Sequence, residues 1–488
     1  LKESKVRFIK SPHNYVQRAV GCGVLVSRRD FIKGLVGGLI VGAVAGAGAV
    51  YVAGPGRGEV KPPEVGARIP TTPLKVGLQY MTKGGGAAWG DPTYKGARLA
   101  VEEINAAGGI LGRKLEFVER DEAGADATKA EFEKLITVDK IDVHFCCISS
   151  GNTPALAPIA EEYKVLTFFA DGCTDILFEK TVPNPRYTFR VTNIQSADGV
   201  TAALGAIKFF NLMEKDKVRV AHIHPDYAYG RNAYEHIQVV FEKVLGKDRV
   251  EIVYEGWPKL FGVTDFGPYI TSILASGADV LATSLWAADW INFYKQALGY
   301  GLFKKVKVVS TISHGIAPHM VESDYPEGQI AGVHANYYFL YPEHESYPLN
   351  RDFVRRYYER WKEYPTNGSE GAYVSVYLYK SAVERAYQAL GRWPEPEEVI
   401  PFLEGASILG PAGILSIRAR PPNKHQGYKN AITGISRVDP KLGFSIVADP
   451  LRIPIERVTV PEGWEGPTEP TMTYNWIKTT WREGVLPI

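Results

Sequence analysis

The residues best placed to do chemistry form a short polar stretch, Ser149-Ser150-Gly151-Asn152-Thr153. It lies between an apolar run ending at Ile148 and Pro154. Proline suits the first turn of a helix, where its missing N–H is not needed. The backbone N–H groups just before it then point outward, and with the hydroxyls they would make an anion site. The plainer alternative is that Ser150 or Thr153 only caps the helix. A second polar loop, residues 170–177 with Asp171, Gly172, Cys173 and Thr174, follows the next apolar run, and Asp171, Gly172 and Thr174 could instead cap locally. Two such loops at the ends of neighbouring parallel strands would share one crevice, the usual ligand position in an open sheet.

Other constellations are weaker. The G-x-S-x-G, H-E-x-x-H and G-x-x-x-x-G-K-[ST] motifs do not occur. Gly84 and Gly86 give a G-x-G, but Trp89 takes the third glycine position, so no dinucleotide cofactor is expected. His222 and His224 share one strand face and read as ordinary hydrogen-bonding groups rather than a metal pair. Neither a metal nor any cofactor is expected. Asn367-Gly368-Ser369 is a sequon that permits surface glycosylation. The cysteines Cys22, Cys146, Cys147 and Cys173 fit neither a disulfide framework nor a zinc pattern. A bridge from Cys146 or Cys147 to Cys173 is geometrically open; the plain reading is small buried residues.

The elements that must hold these loops alternate. LKVGLQY from Leu74 is strand-like, and Asp91-Pro92 opens a helix as N-cap and first position. KLEFVER, IDVHFCCI and KVLTFF are further strands, separated by helices over 127–138 and 154–163. After Arg190 the rhythm restarts with VRVAHIH, VEIVYEG, ADVLATSL and VKVVST. Strands alternating with helices imply parallel sheets wrapped by helices. There are too many strands for one sheet, so the fold expected is α/β with two doubly wound lobes. The tail from about 441, rich in Pro and Trp, has no clear period.

Composition excludes one partner class. The 488 residues carry 56 Lys and Arg against 54 Asp and Glu, a net charge of +2, so nucleic acid is not expected. Near the N-terminus, Ser27, Arg28, Arg29, Phe31 and Lys33 precede an uncharged run from Gly34 to Ala53. That run of about 20 residues is long enough to cross a bilayer core. The Arg28-Arg29 string resembles a twin-arginine export signal, with a plain membrane anchor as the alternative. Residues 55–72 read as a Pro- and Gly-rich tether.

WGDPTYKGARLAVEEINAAGGILGRKLEFVERDEAGADATKA, from Trp89, resembles the signature stretch of branched-chain amino acid ABC-transporter substrate-binding proteins. YTFRV, DYAYG, TDF, GADV and QALGYG match in order after it, so the resemblance covers about 74–440. It implies a type I periplasmic binding protein: two doubly wound lobes joined by three crossovers, closing on a small ligand. The organisation expected is a basic region 1–33, an apolar signal or anchor 34–54 and a linker 55–72. Lobe 1 would be 73–191 plus 335–411, lobe 2 192–334 plus 412–440, and 441–488 an extension.

The family's carboxylate-holding positions match Ser150, with Ser149 beside it, and Thr174, with Gly172 or Cys173 giving backbone contact. Trp89, Tyr229 and Trp286 match its aromatic positions. The family's ammonium-binding acid has no match, because His314 stands near that place. Asp289, Asp226 and Asp175 are the alternatives, and nothing in the sequence chooses among them. The resemblance implies a non-enzymatic binding protein for an amino acid or a related carboxylate or amide. It would be exported and partnered by an ABC permease and its ATPase, and held at the membrane by residues 34–53 if uncleaved. The rival readings are a membrane-anchored sensor ectodomain and a hydrolase on the same scaffold.

Overall fold

The computed structural model describes residues 69–334, 336–341 and 347–488. Arg28, Arg29, Cys22, the apolar segment 34–54 and nearly all of the tether lie outside the described residues. No helix among the described residues is long and apolar enough to cross a membrane.

The first sheet is parallel throughout, in the order β2-β1-β3-β4-β5. Its strands are β1 (Leu74–Tyr80), β2 (Leu115–Asp121), β3 (Val143–Cys146), β4 (Thr167–Phe169) and β5 (Thr188–Arg190). Helices Ala87–Ala106, Ala125–Thr137 and Thr153–Tyr163 connect the first four. Every residue of β3 and β4 is buried, as expected of central parallel strands covered on both faces.

The second sheet has seven strands, ordered β15-β14-β10-β9-β8-β6-β7. Its parallel part is β6 (Val218–Ile223), β7 (Val250–Gly256), β8 (Val280–Thr283), β9 (Lys307–Ser310) and β10 (Ile330–Gly332). A third sheet joins β11 (Ser407–Gly410), β12 (Gly413–Ile417) and β13 (Gly427–Tyr428). An antiparallel hairpin, β14 (Ala431–Asp439) and β15 (Phe444–Ile453), then completes the second sheet.

The chain passes between the two large sheets three times: after β5, after β10 and between β13 and β14. The passes are tied together. Asn336 Nδ2 donates to Thr192 Oγ1 at 3.0 Å, and the Lys429 N–H donates to Asn193 Oδ1 at 2.8 Å.

Several expectations shift. The boundary expected at 411/412 falls inside the β11–β12 hairpin, because those strands pair with each other. The second sheet runs to Ile453, past residue 440. The first helix begins at Ala87, four residues before Asp91, because a 3-10 turn at Gly84–Gly86 already bends the chain into it. Trp89 therefore sits in that helix's first turn. Cys146, Cys147 and Cys173 are buried free thiols. The sequon is buried too, with Asn367 2% and Ser369 0% exposed, which denies a glycan access.

The tail has a structural role. Thr471 caps helix Met472–Thr480 by accepting from the Tyr474 N–H at 3.1 Å. The Met472 N–H donates to Glu179 Oε2 at 2.8 Å and Lys180 Nζ to the Pro470 carbonyl at 3.2 Å, both between β4 and β5. Thr471 Oγ1 also meets His236 Nε2 at 2.7 Å, in helix Ala228–Leu245 beside the second sheet. The tail thus grips segments belonging to both sheets.

At the third pass, buried Lys429 forms an ion pair with buried Glu370 of helix Asn367–Leu390. Removing one partner leaves an uncompensated buried charge. Lys429→Met should therefore cost about 3–5 kcal/mol in denaturant melts. Adding Glu370→Gln should restore most of the loss; equal losses in the single and double variants would mean the charges are solvated by other means.

Candidate functional site

A cavity lies where the strand ends of the two sheets meet. Its lining is Trp89, Ile148, Ser150, Asp171, Cys173, Tyr227, Tyr229, Trp286, Ile312 and His334. Its volume of about 20 Å³ holds about one water. Cys147, Gly172, Ala287 and His334 around it all adopt positive φ, at 68°, 65°, 47° and 60°. Such conformations persist in non-glycine residues only where the surroundings over-determine them.

The polar core is a three-residue chain. His334 Nε2 meets Asp171 Oδ1 at 2.9 Å, and His334 Nδ1 is bonded to Asp198 Oδ2. Asp171 follows β4, Asp198 lies in helix Gln195–Phe209, and His334 is in the second pass. Burial would lower the proton affinity of His334, but the Asp171 and Asp198 carboxylates outweigh it and raise it well above its ordinary value. Burial pushes Asp198 up to about 6 despite His334, and the Cys173 thiol up to about 12. One oxygen of Asp171, one ring nitrogen of His334 and Cys173 Sγ all lie within 4.8 Å of one another.

Aromatic rings form the walls. Trp89 Nε1 donates to Asp171 Oδ2 at 2.7 Å. The Trp89 and Trp286 rings meet edge to face, centroids 6.4 Å apart at 83°. Phe261 backs Trp286 at 4.8 Å. Tyr229 OH is 2.9 Å from Thr311 Oγ1, which fixes its ring.

The predicted residues divide. Trp89, Ser150, Cys173, Tyr229 and Trp286 come together on the cavity. Ser149, Gly172 and Thr174 stand behind it. Ser149 Oγ accepts from the Gly151 N–H at 3.2 Å. Thr174 Oγ1 donates to Asn232 Oδ1 at 2.9 Å, and the Thr174 N–H donates to Ser150 Oγ at 3.3 Å. Gly172 is required by space, since a Cβ there would come within 2.3 Å of Thr153 Cγ2. Its carbonyl accepts from Thr153 Oγ1 and from the buried Arg190, whose Nη1 also reaches the Thr174 carbonyl at 2.8 Å.

His314 is not on the cavity. It is turned toward β15, with Nε2 3.0 Å from Ser445 Oγ, because the His314 N–H donates to the Gly332 carbonyl of β10 and aims the ring away. Its neighbour Gly315 serves the site instead, since a Cβ there would lie 2.4 Å from the Trp89 ring. The alternative acids are also elsewhere. Asp226 pairs with Arg231, Asp289 accepts from the Phe261 N–H, and Asp175 from the Ser196 N–H. The acid on the cavity is Asp171. Asp171, His334 and Tyr227 were missed as site residues; Asp171 lay in the second polar loop and Tyr227 in the DYAYG match, but no pattern marked His334. His222 and His224 hydrogen-bond each other, Gln238 and Ser284, as ordinary polar groups.

The expected anion site is occupied by the protein itself. Buried Glu122, just after β2, accepts from the Ile148 and Ser149 N–H groups at 2.9 and 3.0 Å and from Asn152 Nδ2 at 2.8 Å. The Asn152 and Thr153 N–H groups turn back to the Ser149 carbonyl. Neither Ser150 nor Thr153 caps the helix; Asn152 holds that position without a side-chain cap bond.

A profile of the periplasmic binding protein family matches residues 73–433. A curated relative, the "Leu/Ile/Val-binding protein homolog 7" of Brucella abortus, is 27% identical over 241 residues, 48% of this chain. This chain's match spans 57% of that relative's length. A Rhodopseudomonas palustris BisB5 ABC-transporter solute-binding protein, solved with 3,4-dihydroxybenzoic acid, superposes with a TM-score of 0.64. It is 21% identical, and the match covers 79% of this chain and 98% of that one. An ABC-type branched-chain amino acid transporter protein of R. palustris CGA009 gives 0.60 at 20% identity, covering 80% and 100%. These two likenesses concern the fold.

Burial raises the Glu122 carboxyl from 4.5 to about 7, against the pull of its three N–H donors. The folded state then holds a proton that the unfolded state releases. This stabilisation is full below pH 4.5 and is lost as pH rises through about 7, on the order of 3 kcal/mol. Glu122→Gln should flatten the decline in melting temperature between about pH 5 and 8 relative to wild type. Parallel pH profiles would mean that Glu122 is ionised throughout.

Proposed function

The chain belongs to the periplasmic binding protein family, and from that premise we propose that it is the extracytoplasmic solute-binding component of an ABC importer. It takes up a small organic solute in the cavity between its lobes and hands it to a membrane permease driven by an ATPase. The solute has an aromatic or apolar body and a carboxylate or amide end. The observation that carries this reading is the cavity wall. Trp89 comes from the first-sheet segment, and Tyr227, Tyr229 and Trp286 from the second. A ligand between them would bridge the lobes and favour the closed state through its better affinity for it. Lobe movement about the three passes supplies entry, since the cavity admits little more than one water.

Two polar groups discriminate among solutes. The Ser150 hydroxyl reaches the cavity from one rim. Asp171 accepts from Trp89 and His334 and keeps lone pairs for a further donor. No reaction is required of these groups for capture and release. The periplasmic relatives and the Arg28-Arg29 string support an exported protein. The 3,4-dihydroxybenzoic acid held by the R. palustris BisB5 protein supports an aromatic carboxylate. The Leu/Ile/Val-binding homolog of Brucella supports an aliphatic amino acid.

The test is a thermal-shift panel of leucine, phenylalanine, phenylacetate, benzoate and 3,4-dihydroxybenzoate. We expect upshifts with the aromatic carboxylates, and Trp286→Ala should abolish them while also lowering the unliganded melt, because the buried ring packs against Phe261. Ser150→Ala should weaken the best solute by about 1–3 kcal/mol in calorimetric titration. No shift with any compound would refute the reading, and a shift with leucine alone would exclude the aromatic solute class.

A further inference from the structure

Among the described residues, Asp171, Cys173 and His334 are the one group of His, Cys and acidic side chains whose ligand atoms converge. Their donor atoms are a carboxylate oxygen, a thiol sulfur and an imidazole nitrogen, all within 4.8 Å of one another. All three residues line the cavity. We propose that they form a site for a divalent transition metal of the zinc class, at the floor of the cleft, with one coordination position open to the solute.

Four features support it. The donors are of the types that zinc and its neighbours take, and three protein ligands with an open fourth position are the arrangement of reactive rather than structural zinc sites. The spacing needs only slight contraction, since metal bonds of about 2.0–2.3 Å place ligand atoms under about 4 Å apart. Behind His334, Asp198 accepts from Nδ1. A metal-binding histidine usually gives its second N–H to a carboxylate in this way, which leaves Nε2 as the ligand atom. The cavity of about 20 Å³ is scaled to an ion with one small ligand.

In the loaded site Asp171 would serve as carboxylate, Cys173 as thiolate and His334 as neutral imidazole through Nε2. A dication then meets two anionic ligands and one neutral imidazole, so the ligand set is charge-balanced. Metal binding itself is independent of the organic solute. The open position facing a carboxylate rests on the solute-binding reading above.

The experiment titrates the full, tag-free chain, stripped with a chelator, with Zn²⁺ by calorimetry and with Co²⁺ by absorption. We expect one ion per chain, with proton release seen as a dependence of the heat on buffer ionisation enthalpy. Co²⁺ should give the near-ultraviolet charge-transfer band of a thiolate ligand. Cys173→Ser should abolish the band. Asp198→Asn, which leaves all three ligands in place, should weaken Zn²⁺ by roughly 10–100-fold. A folded chain without the band, or Zn²⁺ affinity indifferent to Cys173→Ser, would overturn the proposal. Aromatic carboxylates are titrated in parallel. Solute binding without a cobalt band sinks the metal site and leaves the transport reading standing; the band without solute binding does the reverse.

Discussion

Everything at the cleft depends on His334 being held between Asp171 and Asp198. The three residues come from three different parts of the chain: the loop after β4, the pass after β10, and the helix that opens the second lobe. An imidazole buried beside two carboxylates cannot be lost from the set without leaving uncompensated charge. The link therefore fixes how the first-lobe loop sits against the second lobe. It also fixes Trp89, because the second Asp171 oxygen accepts from the indole N–H. Trp89 in turn meets Trp286 from the opposite wall. One electrostatic contact thus sets the spacing of the aromatic walls.

The surrounding scaffold supports that contact from behind. Arg190, wholly buried at the end of β5, holds the Gly172 and Thr174 carbonyls and reaches Gln426 near the third pass at 2.7 Å. Glu122 plays the matching part under the Ser149 loop. A buried cation thus holds two carbonyls of one loop and a buried acid two N–H groups of the other. The side chains that line the cavity include a hydroxyl, a carboxylate, an imidazole and aromatic rings. The tail from Ile453 onward adds a grip on Glu179 and His236 from outside the family match, which ends at residue 433.

Much of this was legible in the sequence. The alternation of strands and helices pointed to two parallel sheets. Ser150 and Cys173 stood at strand ends, and the family resemblance added Trp89, Tyr229 and Trp286. The failures share a cause. A pattern locates the end of a strand but not the direction of the next side chain. His314 follows β9 as expected, yet its backbone bond to Gly332 turns the ring away, while Gly315 beside it makes room for Trp89. His334 sits in a crossover, where no periodicity exists. The hydroxyl loop looked like an anion site because the group its N–H donors serve, the Glu122 carboxyl, lies 26 residues from Ile148 in the chain. The β14–β15 hairpin was hidden because β15, at the sheet edge, and the end of β14 are partly exposed and lack the continuous apolar runs of the central strands.

Closure of the cleft can be read directly from intrinsic tryptophan fluorescence during titration with the best aromatic carboxylate, in wild type, Trp89→Phe and Trp286→Phe. Because these two indoles form the facing walls, the wild type should give a saturable change that falls sharply in each variant. A saturable change of equal size in all three proteins would place the ligand elsewhere and rule out a cleft closed by these two rings.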